Sequence, residues 1–132
     1  MYPPIMMLRP DLGRDMLSYR IHGIVPALIR AAEGGYAGAR FPWESAQTGV
    51  EVTPVICIPC RENQQHISGD IAFAARQYIS ATRDLDWLNT PQAGTVFTGF
   101  EFIHQVAQFW FSRPILNQTR DRYEINGNLV RV

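Results

Sequence analysis

Gly99-Phe100-Glu101-Phe102-Ile103-His104-Gln105-Val106-Ala107-Gln108-Phe109-Trp110-Phe111-Ser112-Arg113-Pro114 is the stretch that decides the fold class. Phe100, Ile103, His104, Ala107, Trp110 and Phe111 recur at helical spacing, with Glu101, Gln105, Gln108 and Ser112 opposite. Arg113-Pro114 closes the helix, because the residue before a proline is pushed out of helical geometry. On such a stripe His104 reads as a hydrogen-bonded core residue rather than a base or a ligand.

Upstream the same period returns. Ser68-Gly69-Asp70 opens a helix with Ile71, Ala75, Tyr78 and Thr82 on one face, and Asp70 sits in a first turn that favours an anion. Thr90-Pro91-Gln92-Ala93-Gly94 reads as a turn. Nearer the start, Asp11 after Pro10 is a plausible N-cap for a helix carrying Leu12, Met16 and Tyr19. That pattern breaks between Arg20 and Gly23, and a further helix runs to about Glu33 before Gly34-Gly35 stops it. From Tyr36 to His66 no period holds, and Pro42, Gly49, Pro54 and Pro59 punctuate the region. Phe41, Trp43, Val50, Val52, Val55 and Ile56 make it too apolar for disorder, and a loop of this length in a compact domain is usually functional. Downstream, Tyr123-Glu124-Ile125 reads as a short strand and Asn126-Gly127-Asn128 as a turn. The whole is all-α, built of helical hairpins with one long irregular loop.

The 132 residues suit a single unit, and 46% hydrophobic against 18% charged residues favours collapse. Every one of the twelve cations is arginine, balanced by twelve carboxylates. A neutral chain without a basic run lacks the footprint of a nucleic-acid binder, so no nucleic-acid partner is expected. No stretch approaches the about 18 apolar residues of a membrane span, so no membrane partner is expected either. Met1-Tyr2-Pro3-Pro4 is no signal-peptide n-region, which makes a cytoplasmic chain the default. Its apolar opening, with no polar leader, leads us to expect that the natural N-terminus lies upstream.

Few residues promise chemistry. Cys57-Ile58-Pro59-Cys60 has the spacing of a dithiol or half a zinc site. The context is a proline-broken loop and a second cysteine pair is missing, so the two read as small apolar side chains and no metal site is expected. Asn117-Gln118-Thr119 is a glycosylation sequon that matters only in a secreted protein. Phe41-Pro42-Trp43-Glu44-Ser45 is the stronger candidate. A rigid turn presenting an indole beside a carboxylate suits sugar recognition, the ring against C–H groups and the carboxylate accepting from hydroxyls. Glu62 through Asp70 gathers polar groups at a helix entrance. His66 and Asp70 there are candidate hydroxyl partners, unless the cluster merely caps the helix through Ser68 or Asp70.

Taken together, four segments resemble the catalytic domain of glycoside hydrolase family 65, the family of acid trehalase and of the maltose and kojibiose phosphorylases. They are Tyr19-Arg20; Gly35 through Ala46 with Thr48-Gly49-Val50-Glu51-Val52; Glu62 through Ala74; and Gln108 through Arg113. The likeness runs from about Tyr2 to Ile125 and is nearest the acid-trehalase-like glucosidases. It implies a partial (α/α)6 barrel over residues 1–125, with 126–132 a non-matching tail. It also implies an inverting attack on a glucosyl disaccharide such as glucosyl-galactosyl-hydroxylysine or a trehalose-like substrate, without a cofactor. By similarity Trp43 and Glu44 would line the glucosyl pocket, with His66 and Asp70 near its rim.

Inversion needs a general acid and a base on carboxylates about 6.5–9.5 Å apart. The family's acid lies in a Pro-Asp-Glu-Tyr-His run expected soon after a segment like Tyr123-Glu124-Ile125, where this chain reads Asn126-Gly127-Asn128. A Trp-Asp pair expected before Met1 and the later half carrying the base have no counterpart either. The expectation is therefore a glycosidase fragment that is inactive alone and sticky, its exposed barrel helices prone to self-association. The alternative is a non-catalytic truncated isoform that binds sugar or a partner protein.

Overall fold

The computed structural model describes residues 2–125. The expectations placed on Met1, on Asn126-Gly127-Asn128 and on the 126–132 tail lie outside the described residues. Seven α-helices are described: α1 (Tyr2–Leu8), α2 (Pro10–His22), α3 (Ile24–Glu33), α4 (Ile58–Asn63), α5 (His66–Thr82), α6 (Leu85–Asn89) and α7 (Gly99–Ser112). A single 3-10 turn, Val55–Cys57, precedes α4, and two three-residue strands follow α7. Strand β1 (Ile115–Asn117) pairs antiparallel with β2 (Arg122–Glu124), Leu116 opposite Tyr123, so the strand expected at Tyr123 is present.

Helix α5 packs against α1, α2 and α7, and α7 also meets α3 and α6. The core runs through that stack, with Leu17 and Ile21 of α2, Ile71 and Tyr78 of α5, and Phe102 and Val106 of α7. The stripe expected on α5 is the buried one, with Ser68 added ahead of Ile71, Ala75 and Tyr78. The helix itself starts two residues earlier than expected, at His66, and Asp70 stands beyond its first turn. Neither Ser68 nor Asp70 caps it, since Gln65 is the N-cap and makes no side-chain capping bond.

Two helices bury a different face from the one expected. On α7 the buried residues are Gly99, Phe102, Val106 and Phe109, while Phe100 and Phe111 point outward. His104 is exposed rather than in the core, and its ring stacks on Phe100 with centroids 6.0 Å apart. The helix is apolar nearly all round, so its period cannot choose the face; contact with α5 and the segment before Trp43 chooses it. On α2 the buried face is Gly13, Leu17 and Ile21, one position on from Leu12 and Met16. Gly13 is the reason: a Cβ there would stand 3.3 Å from Met6 Cα, so the missing side chain lets α1 lie directly on α2.

The helix ends follow local chemistry. Thr98 and Glu101 form a reciprocal capping box at the start of α7, each side chain taking the other's backbone N–H. At its far end Arg113 lies over the Tyr36 ring, 4.7 Å from the centroid, and its NH1 donates to the Tyr36 hydroxyl at 2.5 Å. Helix α4 lies inside the region from Tyr36 to His66 expected to be irregular, and α6 lies outside the expected pattern; Asp84 caps α6 by accepting from the Trp87 N–H at 2.9 Å. Trp87 is fully buried against Gly99, where a Cβ would come within 2.4 Å of its ring. Among the described residues no helix is long and apolar enough to cross a membrane.

Candidate functional site

The segment leading to Trp43 is nailed down donor by donor. The Ala37 N–H donates to Ser112 Oγ at 3.1 Å and the Ala39 N–H to the Gln105 carbonyl at 2.9 Å, both on α7. The Arg40 N–H reaches the Ala27 carbonyl on α3 at 3.0 Å, and the Phe41 N–H reaches Ser68 Oγ on α5 at 2.9 Å. Gly38 permits this course: φ is +72°, and a Cβ there would stand 2.2 Å from the Gln105 oxygen. Phe41 plunges into the core, its ring edge-on to Phe102 at 5.6 Å, and Pro42 is buried behind it. A buried anchor followed by a buried proline leaves the chain one way to go. Trp43 comes out 39% exposed and Glu44 is exposed beside it.

The chain then folds back through a short bridge. Ser45 pairs antiparallel with Glu51, and the Val52 N–H donates to the Glu44 carbonyl at 3.0 Å. This brings Glu51 underneath the two candidate residues, with its side chain only 5% exposed. Its carboxylate accepts from the Trp43 N–H at 3.3 Å, the Thr53 N–H at 3.0 Å and the Thr53 hydroxyl, and it pairs with Arg30 at 2.5 Å. The Glu44 N–H donates in turn to Thr53 Oγ1 at 3.3 Å. Burial works against ionising Glu51, yet the Thr53 and Trp43 donors and Arg30 outweigh it and hold the carboxyl below its ordinary value. Burial and the neighbouring Arg40 push Arg30 down, against the pull of Glu51 and Glu62. An arginine starts so far above neutrality that both partners are charged at pH 7.

His66 and Asp70 arrive from α5. The imidazole stands edge-on to the Trp43 indole with centroids 5.9 Å apart, and its Nε2 lies 3.9 Å from the Asp70 carboxylate one turn on. That second contact is an ion pair only when the ring is protonated. Trp43, His66 and Asp70 thus form one contiguous exposed strip, with Glu44 adjoining it through the backbone. The rest of the polar run works as structure. Arg40 donates to the Glu62 carbonyl and lies 3.4 Å from its carboxylate, while Ser68 holds Phe41.

Cys57 and Cys60 depart from the reading of two free thiols. They are joined in a disulfide, Cα atoms 5.2 Å apart, on a tip where Ile56 is 93% exposed. Arg30 ties that tip down by donating to the Arg61 carbonyl. Among the described residues no group of three or more His, Cys, Asp or Glu is placed to hold a metal ion.

Among the described residues lie open clefts of about 490 and 540 Å³, and neither of these is lined by the four candidates. Arg30, Arg40, Glu51, Arg61 and Glu62 line the first, behind the Trp43 turn. Phe73, Ile79, Leu88 and Ile103 line the second, between α5, α6 and α7. Arg30, Glu51 and Thr53 were missed as site residues. The signal was available in Val50-Glu51-Val52-Thr53, where alternation on an extended segment sends Glu51 and Thr53 inward and both valines out.

Residues 1–129 match the glycosyl hydrolase family 65 central catalytic domain. Over 130 residues the chain is 42% identical to the protein-glucosylgalactosylhydroxylysine glucosidase of Dictyostelium discoideum, covering 96% of this chain and 17% of that protein. It is 38% identical over 127 residues to the kojibiose hydrolase of Flavobacterium johnsoniae, again covering 96% and 17%. The chain therefore spans about 17% of the length of these curated relatives. A solved structure described as a kojibiose phosphorylase from human microbiome superposes with a TM-score of 0.80 at 20% identity, covering 97% of this chain and 16% of that one. At that identity it establishes the fold, part of a helical barrel.

Proposed function

The chain belongs to glycosyl hydrolase family 65, and on that premise we propose that it supplies one wall of a site for the glucosyl unit of an α-glucosyl disaccharide. The Trp43 indole packs against the sugar's C–H face, and the Glu44 carboxylate accepts from its hydroxyls. His66 and Asp70 bound the same strip and meet hydroxyls at its edge. The observation that carries the reading is the contrast within Trp43-Glu44: both backbone N–H groups are fastened, while among the described residues the Glu44 carboxylate has no partner. A side chain left open on a fixed backbone is prepared for a ligand. Two relatives carry glucosylgalactosylhydroxylysine and kojibiose in their names, which makes a glucosyl disaccharide the substrate class to test.

No residue of the chain has motif support as the general acid or the base of an inverting reaction. No motif pairs Glu44 with a second carboxylate across the sugar, and general-acid catalysis alone is worth about 10²–10⁴ in rate. The 132-residue chain by itself therefore binds without turnover. The test is to mix the pure chain with kojibiose, follow tryptophan fluorescence, and assay glucose. We expect saturable binding that Trp43→Ala abolishes, with no glucose above the buffer control. Sustained glucose release refutes the inactivity, and binding that survives Trp43→Ala refutes the site.

The outward faces of α7 favour a second role beside this one. Phe111 is 89% exposed and Phe100 stands out on the same helix, apolar surface suited to a partner protein or a second copy.

A further inference from the structure

We propose that Arg30, Glu51 and Thr53 are positioning residues of the glucosyl site: an ion-paired clamp that sets the angle at which Trp43 and Glu44 meet sugar. The inference rests on the sugar-site reading above and concerns residues outside it. Its geometry is a relay. The Arg30 guanidinium neutralises the Glu51 carboxylate at 2.5 Å. That carboxylate holds the Trp43 N–H directly and the Glu44 N–H through the Thr53 hydroxyl, which donates to Glu51 and accepts from Glu44. Two successive amides are thus fixed from one side, where the chain bends between Pro42 and the Ser45 bridge.

Stability alone does not call for this arrangement. Taking a carboxylate and a guanidinium out of water costs several kcal/mol per ion, and an apolar pair of the same volume is often as stable. What a buried ion pair with directed acceptors adds is a fixed geometry. The donors it fixes belong to the two residues whose side chains face the solvent. Arg30 also donates to the Phe41 and Arg61 carbonyls, so the clamp is anchored on both sides of the turn. A sugar-stacking indole tolerates little tilt, and a misplaced contact far from the chemistry can cost about 10²-fold.

The test uses the whole chain carrying 5-fluorotryptophan, whose three tryptophans report separately. Trp43 reads the clamp, while Trp87 and Trp110 read the fold. Thr53→Val and Glu51→Gln each should move or broaden the Trp43 fluorine signal and leave the other two in place. Thr53→Ser, which keeps the hydroxyl, should restore it. Kojibiose affinity should fall about ten-fold in Thr53→Val, as expected for one lost positioning bond, and return in Thr53→Ser. An unmoved Trp43 signal in both variants overturns the proposal. So does joint movement of all three signals in Thr53→Val, which would make the cluster a general fold element. Wild-type affinity in both variants overturns it as well. Absence of any kojibiose effect on the wild-type Trp43 signal refutes the sugar site itself, a result distinct from variants that bind like wild type.

Discussion

Gly35 and Gly38 offer a controlled comparison, because both hold left-handed backbone, with φ of +77° and +72°. Around Gly35 a Cβ would meet nothing within 4 Å, so Gly35→Ala pays for conformation alone, about 1–2 kcal/mol. Gly38→Ala carries the same term and a collision. Its Cβ would stand 2.2 Å from the Gln105 oxygen, 2.4 Å from the Phe109 nitrogen and 2.9 Å from Gln108 Cβ, two of them helix backbone that no rotamer change can move. The segment must lift off α7, which stretches the Ala39–Gln105 hydrogen bond, worth about 1 kcal/mol net, and loosens Phe41 against Phe102. Overpacking of this kind adds about 1–3 kcal/mol. Gly38→Ala should therefore cost about 3–6 kcal/mol, a large share of the total stability of any domain. Urea unfolding followed by near-ultraviolet circular dichroism measures both variants against the wild type. Equal costs for the two substitutions would refute the claim that the approach of this segment to α7, rather than its backbone conformation, demands glycine.

Tyr78 and Asp84 should make stability depend on pH at both extremes. Burial and then the hydrogen bond to Asp84 push Tyr78 up to about 12. Its contribution is complete below the unfolded value of about 10 and lost as pH rises through 12, and Asp84→Asn should bring tyrosinate absorbance to a lower midpoint. Burial resists ionising Asp84, but Tyr78, the Trp87 N–H and Arg14 overcome it and hold the carboxyl low. Its contribution is present above about pH 4 and lost below, so the stability gap between wild type and Asp84→Asn should narrow in acid, and again in alkali as Tyr78 ionises. Reducing the Cys57–Cys60 disulfide should cost no more than about 2 kcal/mol, because so short a closed loop restrains little unfolded-chain entropy; denaturation with and without a dithiol reductant measures it. Phe111→Ser should leave stability within about 0.5 kcal/mol and reduce self-association in sedimentation velocity, given how exposed that ring is.

Helix existence was legible wherever polar residues thinned the pattern. On α5, arginine, glutamine and serine leave a single apolar stripe, and Ile71, Ala75 and Tyr78 are both the expected and the buried face. On α7 too many aromatics compete, and neighbours rather than period bury Phe102, Val106 and Phe109. On α2 the decisive residue is a glycine, which hydrophobic patterning ignores. The site was legible in its chemistry but not in its assembly. An indole beside a carboxylate is visible in Trp43-Glu44, whereas the meeting of Trp43 with His66 depends on how the segment carrying α4 returns to α5. Glu51 was hidden for a related reason: a carboxylate between two valines looks like solvent-facing polarity until the chain folds it back onto the Trp43 amide.

The docking of residues 37–41 on α7 also has a consequence in time. Ala37 finds its partner, Ser112, 75 residues further along the chain. At synthesis rates of about 5–20 residues per second, that partner leaves the ribosome about 4–15 s later. Helix α7 can begin without distant help, since Thr98 and Glu101 cap it locally. The loop cannot. Ala27 is already made and Glu51, His66 and Ser68 follow sooner, so Trp43 can be held first and the closure of residues 37–39 onto α7 comes last.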